Sequence, residues 1–254
     1  MSDILFACDL DNTLIHSYKH KKDGDICVEW IDGKEQGYMS KEVLALLRRI
    51  KDLVDIVPVT TRSVSQYLRI SWPYSCKPKC AITTHGAKLL INEEIDRAWD
   101  ADSGLLTSKA ESALENIVSG LEKTNLFLRC RMVDQSYAFV YNKFEKISAE
   151  AADQYPIPDS LYRIRSGKKT YFIPKGIDKG NAVMRYMKDK AYKTLFCAGD
   201  SKMDLAMLDA ADIAFAPQSL GAALTAENEK RLYNDASFPE DMLGDIAGII
   251  CAET

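Results

Sequence analysis

The sequence predicts an α/β fold with a doubly wound parallel sheet, into which a smaller α+β domain built on an antiparallel sheet is inserted. Short apolar segments alternate with helical patterns near both ends of the chain, an order typical of parallel sheets. Between residues 89 and 172 the strand patterns alternate or carry charge, which is typical of an antiparallel sheet with one polar face. We therefore expect residues 1–88 and 173–254 to form the core and residues 89–172 to form the inserted domain.

The first predicted strand starts at Ile4 and ends at two carboxylates, Asp9 and Asp11. Positions i and i+2 of extended backbone lie on one face, so both side chains are expected to point the same way. Like charges at this spacing repel unless a cation or a shared proton neutralises them. The segment therefore predicts a divalent metal site or a protonated carboxyl, although a turn with a helix cap would use the same residue types.

The core pattern continues with a polar stretch, residues 16–37, which we interpret as a loop or a short hairpin. Apolar residues at helical spacing predict a helix from Ser40, as N-cap, to Leu53. Val54 to Val59 forms a second apolar strand that ends at Thr60, and a helix follows from Val64 to Ile70. In doubly wound folds ligands bind beyond the carboxyl ends of the strands, where the Asp pair and Thr60 both fall.

A third short strand runs from Cys80 and reaches a turn at Gly86. The preceding residue, His85, is one of three histidines in the chain. A single histidine beside a glycine is more often a hydrogen-bonded turn residue than a catalytic group.

The inserted segment begins with a predicted helix from Gly104 or Ser108 to Leu121, followed by four strands. The strands are predicted at Leu126 to Val133, Tyr137 to Tyr141, Leu161 to Ile164 and Lys169 to Ile173. Basic side chains are predicted on the polar face of this sheet. They are either exposed to solvent or face a closed site, where they would bind an anionic substrate. They are Arg129, Arg131, Arg163, Arg165, Lys168 and Lys169.

The core pattern resumes after Pro174 with Lys179, which precedes a predicted helix from Asn181 to Lys190. The next apolar strand, Thr194 to Ala198, ends in Gly199-Asp200-Ser201-Lys202-Met203-Asp204. A helix from Leu205 to Ala210, a strand from Ile213 to Ala216 and a helix from Met242 to Ile250 complete the predicted core. Asp200 ends a buried strand, so it is expected to lie at the same edge of the sheet as Asp9.

Composition restricts the class of function. The formal net charge of −4 argues against non-specific nucleic-acid binding. Seven irregularly spaced cysteines do not form a disulfide framework. No segment resembles a signal peptide or has the length of a membrane span, so we expect a cytoplasmic protein without membrane attachment. The sequence does not indicate an oligomeric state.

Four of these segments, in order, resemble the four motifs of the haloacid dehalogenase (HAD) superfamily of phosphotransferases. They are Asp9-x-Asp11-x-Thr13, Thr60 after a strand, Lys179 at a helix start and Gly199-Asp200-x-x-x-Asp204. The inserted segment lies between the second and third motifs, as the cap does in the Cof-type subclass. Thr84-His85-Gly86-Ala87 is similar to an Asn-Gly-Ala stretch of Cof-type members, with His85 in place of the usual asparagine.

The resemblance implies a magnesium-dependent phosphatase that acts on a small phosphorylated metabolite, such as a sugar phosphate. It implies that Asp9 attacks phosphorus and that Asp11 serves as general acid and base. It further implies that Thr60 donates a hydrogen bond to a phosphoryl oxygen and that Lys179 offsets the negative charge. Magnesium is expected at Asp9, Asp11, Asp200 and Asp204, with Asp11 contributing its backbone carbonyl. Substrate contacts are expected from Thr60, Thr61, Arg62 and Lys179.

Two other functions are compatible with the sequence. One is a phosphomutase, because phosphomannomutases share the cap placement and the first motif. The other is a catalytically idle metal-binding protein that uses its cap to bind a partner. Degenerate members usually lose the nucleophile or the general acid, and both are present here at Asp9 and Asp11.

Overall fold

The protein is described here from a computed structural model, which covers residues 2–73, 76–188 and 190–253. The first part of the chain contains β1 (Ile4–Cys8), β2 (His16–Ser17), β3 (Ile26–Ile31), β4 (Lys34–Met39), α1 (Lys41–Ile50), β5 (Asp55–Pro58), α2 (Val64–Tyr67), β6 (Cys80–Thr83), β7 (Lys88–Ile91) and β8 (Glu94–Ile95). Helix α1 begins at the predicted N-cap, because the Ser40 hydroxyl accepts a hydrogen bond from the Val43 backbone N–H.

The middle of the chain contains α3 (Arg97–Thr107), α4 (Glu111–Glu122), β9 (Phe127–Val133), β10 (Tyr137–Asn142), α5 (Glu145–Gln154), β11 (Leu161–Ser166) and β12 (Lys169–Pro174). The last part contains α6 (Lys179–Met187), β13 (Thr194–Ala198), α7 (Leu205–Asp209), β14 (Ile213–Pro217), β15 (Glu229–Tyr233) and α8 (Phe238–Glu253). The sequence analysis did not predict α5 and β15. The first has a small, alanine-rich buried face, and the second is a polar strand at the edge of its sheet.

The central sheet is parallel and has the strand order β15-β14-β13-β1-β5. From β1 the chain moves to β5 on one side, whereas β13, β14 and β15 fill the other side. The strand order therefore reverses between β1 and β13, which is where doubly wound sheets bind ligands. Separate buried apolar clusters on either side of the sheet include Phe6 with Leu47 and Leu5 with Val183. The predicted α/β class is confirmed.

A second sheet is antiparallel, with the order β11-β12-β10-β9, as expected for a cap. One face packs on α4 and α5 through a cluster that includes Leu114, Ile117 and Phe172. Tyr137 and Tyr171 of the opposite face join a different cluster, which contains core residues such as Met203. The division of the chain at residues 88/89 and 172/173 stays a prediction from the sequence.

The helix predicted from Ser108 to Leu121 corresponds to α4, whereas the alternative start at Gly104 is wrong, because Gly104 belongs to α3, a separate helix that was not predicted. Trp99 of α3 packs in a core cluster with Val183 and Tyr186, whereas Leu114 of α4 packs under the antiparallel sheet. The chain turns between the helices because their apolar faces bury against different parts of the protein. Among the described residues, no helix combines the length and hydropathy needed to cross a membrane.

Candidate active site

The site lies at the carboxyl ends of β1 and β13, the two strands between which the order reverses. Asp9 directly follows β1, and its backbone N–H donates to the Ala198 carbonyl at the end of β13 (2.9 Å). Asp200 follows β13 after a single glycine. The parallel pairing of these strands therefore brings together two carboxylates that are 191 positions apart in the sequence.

Three carboxylates converge at this point. Asp9, Asp200 and Asp204 each offer one oxygen, and these oxygens lie within 4.8 Å of one another. Asp204 is held by Ser201, whose backbone N–H and hydroxyl both donate to Oδ2 at 2.9 Å. The turn requires Gly199, because a Cβ there would lie 2.4 Å from the Cβ of Asp204. The local sequence thus determines how Asp204 points into the site.

Lys179, the first residue of α6, is fully buried and extends into the acidic cluster. Its Nζ donates to Asp9 Oδ1 at 2.6 Å and to Asp204 Oδ1 at 2.5 Å. Burial opposes the charge of the ammonium, but Asp204 and Asp9 outweigh this effect and keep the pKa of Lys179 above its ordinary value. The lysine and the carboxylates therefore form one buried charge network.

The charge network contains three carboxyl groups and one ammonium group. Burial raises the pKa of Asp9 well above its ordinary range. Lys179 opposes this shift, and the neighbouring carboxylates add to it. Burial also raises the pKa of Asp200 to about 7, and Asp204 adds to this shift. A further cation at this position would favour the ionised carboxylates. The donor set consists of carboxylate oxygens, which suits Mg²⁺, so the residues present fit the metal that the resemblance implies.

Asp11 is positioned differently from the other three carboxylates. Its two oxygens accept hydrogen bonds from Arg62 Nη2 (2.7 Å) and Nε (2.9 Å) in a bidentate pair. The same guanidinium donates from Nη1 to Glu29 Oε2 (2.9 Å). Burial in the cleft opposes the ionisation of Asp11. The hydrogen bonds and the positive charge of Arg62 outweigh this effect and hold the pKa of Asp11 below its usual range. Three of the five N–H groups of Arg62 are used in these bonds, which leaves two for a ligand.

Thr60 and Thr61 lie beside this pair. The buried Thr60 hydroxyl accepts a hydrogen bond from the Arg62 backbone N–H (3.2 Å), and its own hydrogen has no acceptor within the described part of the chain. It can therefore donate to a ligand. Thr61 lines the cleft, and its carbonyl accepts a hydrogen bond from the Tyr137 hydroxyl (2.5 Å).

The cleft that opens beside Asp11 has a volume of about 560 Å³, within the usual range for small-molecule sites. Its walls come from the hairpin of β3 and β4, from the segment after β5, and from β9, β10 and β12 of the antiparallel sheet. Asn12 lies at its edge in a left-handed conformation (φ 60°) and donates its amide to Asp200 Oδ2 at 3.1 Å. The inserted sheet and the parallel sheet thus enclose one shared space.

Sequence reasoning missed Glu29 and Tyr137. Glu29 is buried in β3, where it accepts from both Arg62 and Arg69. A charged residue within the otherwise apolar segment Ile26-Cys27-Val28-Glu29-Trp30 was the available signal, since buried carboxylates need partners. Tyr137 gave no comparable signal, because an aromatic residue in a strand is usually part of a core.

Sequence reasoning also placed Arg163 and Arg165 on the same polar face as Arg129, which is wrong. The register pairs Arg163 with Phe172, whose side chain packs under the helices of the antiparallel sheet. Arg163 accordingly donates to backbone carbonyls of α5 and the residue after it, and Arg165 pairs with Asp153 (3.0 Å).

His85 occupies a strained turn rather than a free position in the cleft. It has a left-handed backbone (φ 58°) and is buried, with Nε2 3.3 Å from the Tyr162 hydroxyl. The following Gly86 is required by its φ of 107° and by the Asp178 carbonyl, which would lie 2.6 Å from a Cβ. Asparagine tolerates the left-handed region well, so His85→Asn preserves this backbone conformation.

The pH dependence of stability is expected to change in His85→Asn. Burial, with a smaller contribution from Lys179, lowers the pKa of His85 from 6.5 to about 3. Unfolding at acidic pH therefore takes up a proton, so the contribution of His85 is complete above pH 6.5 and is lost as the pH falls towards 3. Between pH 7.5 and 5.0 the wild type should lose about 2 kcal/mol more unfolding free energy than His85→Asn. Urea denaturation at both pH values measures this difference, and equal losses would contradict it.

Comparison with known proteins supports the fold. No model of a protein family matches the chain, and no curated protein matches it. Solved structures do match, and they show that the fold is similar to that of hydrolases of the HAD superfamily. The fold expected from the four motifs is confirmed.

Three of these structures are similar over almost the whole chain. A haloacid dehalogenase-like hydrolase from B. subtilis has 19% identity and a TM-score of 0.61, over 94% of this chain and 98% of that one. The sucrose-phosphatase of Synechocystis sp. PCC6803, solved with sucrose and phosphate, has 13% identity and a TM-score of 0.58, over 96% and 98%. A sugar phosphatase of HAD subclass IIB has 12% identity and a TM-score of 0.60, over 95% and 98%.

Proposed function

We propose that this protein is a magnesium-dependent phosphatase that hydrolyses a small phosphorylated metabolite through an aspartyl-phosphate on Asp9. The observation that carries the proposal is the convergence of Asp9, Asp200 and Asp204, of which Asp9 and Asp204 also contact the ammonium of Lys179. A phosphoryl group brings further negative charge, which this site can accept only with a balancing cation. The fold shared with several phosphatases supports the same class of reaction.

In the proposed first step, an oxygen of Asp9 attacks phosphorus while the bond to the leaving oxygen breaks. Lys179 contacts Asp9 Oδ1, so it orients the carboxylate and offsets charge near the reacting atoms. Thr60 donates its free hydroxyl hydrogen to a phosphoryl oxygen. Magnesium, held by Asp9, Asp200, Asp204 and the backbone carbonyl of Asp11, would supply charge neutralisation when bound.

Asp11 transfers the protons in both steps. It protonates the leaving oxygen and later accepts a proton from the water that hydrolyses the aspartyl-phosphate. The pair with Arg62 favours the ionised form of Asp11, which suits the base but not the acid. We therefore propose that the entering phosphoryl group competes for Arg62 and so allows Asp11 to take up the proton that the first step needs.

Removal of divalent metal tests the proposed class. Turnover of p-nitrophenyl phosphate should fall to the background rate in EDTA and return when Mg²⁺ is added in excess, because the carboxylates of the site repel the substrate without it. Circular dichroism in EDTA serves as the control for folding. Full activity in EDTA would contradict the metal assignment.

A phosphomutase is the second candidate, favoured by cations on the inserted sheet opposite Asp11, which could hold the second phosphate of a bisphosphate. Glucose 1,6-bisphosphate distinguishes the two functions. A phosphatase hydrolyses it with release of inorganic phosphate, whereas a mutase requires it as an activator for the interconversion of hexose phosphates.

A further inference from the structure

Five arginine and lysine side chains line the cleft, and two of them are already neutralised. Arg62 and Arg69 both donate to Glu29, and Arg62 also pairs with Asp11. Asp11 and Glu29 are the carboxylates among the lining residues. The remaining arginine and lysine residues are Arg129, Arg131 and Lys169.

These three cations belong to one face of the antiparallel sheet. Tyr141 pairs with Arg129 on one side and with Lys169 on the other, so both cations flank the same ring. Two strand spacings separate their backbones by about 10 Å. Arg131 lies two residues from Arg129 on the same strand, about 7 Å away on the same face. Long side chains at these separations can reach a single anionic group.

None of the three cations contacts a carboxylate of the residues that the structure describes. Within the described ranges, the side chains of Arg129 and Arg131 have neither an ion pair nor a hydrogen bond, and the Lys169 Nζ lies 5.4 Å from the centroid of the Phe139 ring. On the opposite face of the same sheet, Arg163 and Arg165 do have partners. Among the described residues of this sheet, unneutralised cations therefore occur on the face that forms the cleft, whereas the arginines on the face that meets the helices have partners.

The cations are close enough to affect one another and the catalytic carboxylate. Burial lowers the pKa of Lys169, Asp11 opposes this shift, and Arg129 and Arg62 add to it. Like charges held together in a partly enclosed cleft repel each other, and a bound anion would relieve that repulsion. Asp11 and Lys169 line the same cleft and interact electrostatically, so one small molecule in the cleft can contact both Asp11 and the basic side chains of the antiparallel sheet.

We propose that the substrate carries a second anionic group, a carboxylate or a second phosphate, which Arg129, Arg131 and Lys169 bind while its phosphate ester lies at Asp9. This inference rests on the proposed phosphatase function for the placement of the ester. The cleft volume of about 560 Å³ accommodates a phosphorylated sugar acid or a sugar bisphosphate. Phe139 and Tyr171, paired across neighbouring strands on the same face, provide an aromatic surface for the part of the ligand between its two charges.

Binding to the Asp9→Asn variant tests the inference without depending on turnover. Isothermal titration with Mg²⁺ present would compare glucose 6-phosphate with 6-phosphogluconate, which adds a carboxylate, and fructose 6-phosphate with fructose 1,6-bisphosphate, which adds a phosphate. We expect 6-phosphogluconate, fructose 1,6-bisphosphate or both to have a dissociation constant at least about tenfold lower than that of the matched ligand with a single phosphate. The pair that shows this difference identifies the second group.

Within each pair, the preference is the ratio of the dissociation constant of the ligand with one anionic group to that of the ligand with two. The double substitution Arg129→Met and Arg131→Met should reduce this ratio to below about threefold, because it removes two of the three cations. Arg165→Met is the matched control, since it removes an arginine from the opposite face of the same sheet and should leave the ratio unchanged. Equal binding of both members of each pair, or a ratio that survives the double substitution, would overturn the inference.

Turnover by the wild type separates this inference from the proposed function. If the charged ligands bind selectively but no ester is hydrolysed, the phosphatase assignment fails and the anion site stands. If p-nitrophenyl phosphate is hydrolysed but neither charged ligand is preferred, the second-anion site fails and the phosphatase assignment stands.

Discussion

Replacing Asp9 by asparagine is expected to lower the turnover of p-nitrophenyl phosphate by at least about 10³-fold, because an amide oxygen is a far weaker nucleophile than a carboxylate. The fold should survive. The substitution removes a carboxylate whose charge is disfavoured by burial and by Asp200 and Asp204. Lys179 retains its second partner, Asp204, at 2.5 Å. Steady-state kinetics and the unfolding free energy, measured on the same preparation, test both expectations.

The assignment of Asp9 also predicts where a phosphoryl group is found. Acid quenching of the wild type during turnover, followed by mass analysis of peptides, should show the mass of one phosphoryl group on the peptide that contains Asp9. Asp23→Asn is a suitable control, because Asp23 is an exposed carboxylate that does not belong to the cluster of Asp9, Asp200 and Asp204, and its loss should leave turnover unchanged. Undiminished turnover by Asp9→Asn would remove the nucleophile assignment.

Lys179→Met is expected to lose both activity and stability. Removing one member of a buried ion pair typically costs about 3–5 kcal/mol, because the remaining charges are left without compensation. Here the loss would leave Asp9 and Asp204 buried beside each other without their shared ammonium. We expect a decrease of this size in the unfolding free energy, measured by urea denaturation in EDTA, and turnover at the background level.

A matched variant separates the buried network from the general effect of losing a lysine. Lys188→Met, at the exposed end of the same helix, should cost less than about 1 kcal/mol. Adding Asp204→Asn to Lys179→Met should restore part of the lost stability, because it removes one of the uncompensated carboxylates. A Lys179→Met protein as stable as the wild type would contradict the network described here.

The strands and helices of the core were predictable where the pattern of apolar residues was sufficient to identify them. The apolar segments that became β1, β5 and β13 had to be buried, and the alternation with helices indicated parallel pairing. The local sequence also determined the cap of α1 and the turn around Gly199, where the carboxyl end of a strand meets the acidic motif. These features depend on neighbours in the sequence, so they could be recognised without coordinates.

Local patterns failed where an element had a weak or divided apolar face. The segment of α3 and α4 has one helical pattern in the sequence but buries Trp99 in the core and Leu114 under the antiparallel sheet. The direction of the arginines on β11 likewise depended on the register with β12. A sequence period cannot show which of two faces meets a helix and which meets a ligand.

The sequence by itself determined the fold class, the order of the motifs and the candidate residues at the strand ends. Only the tertiary structure decided that Arg62 and Glu29 hold Asp11, that Lys179 joins Asp9 to Asp204, and that the cations of β9 and β12 face the cleft. Secondary structure follows from interactions a few residues apart, whereas these contacts join strands and helices far apart in the chain. Their geometry is fixed only when the sheets pair and pack.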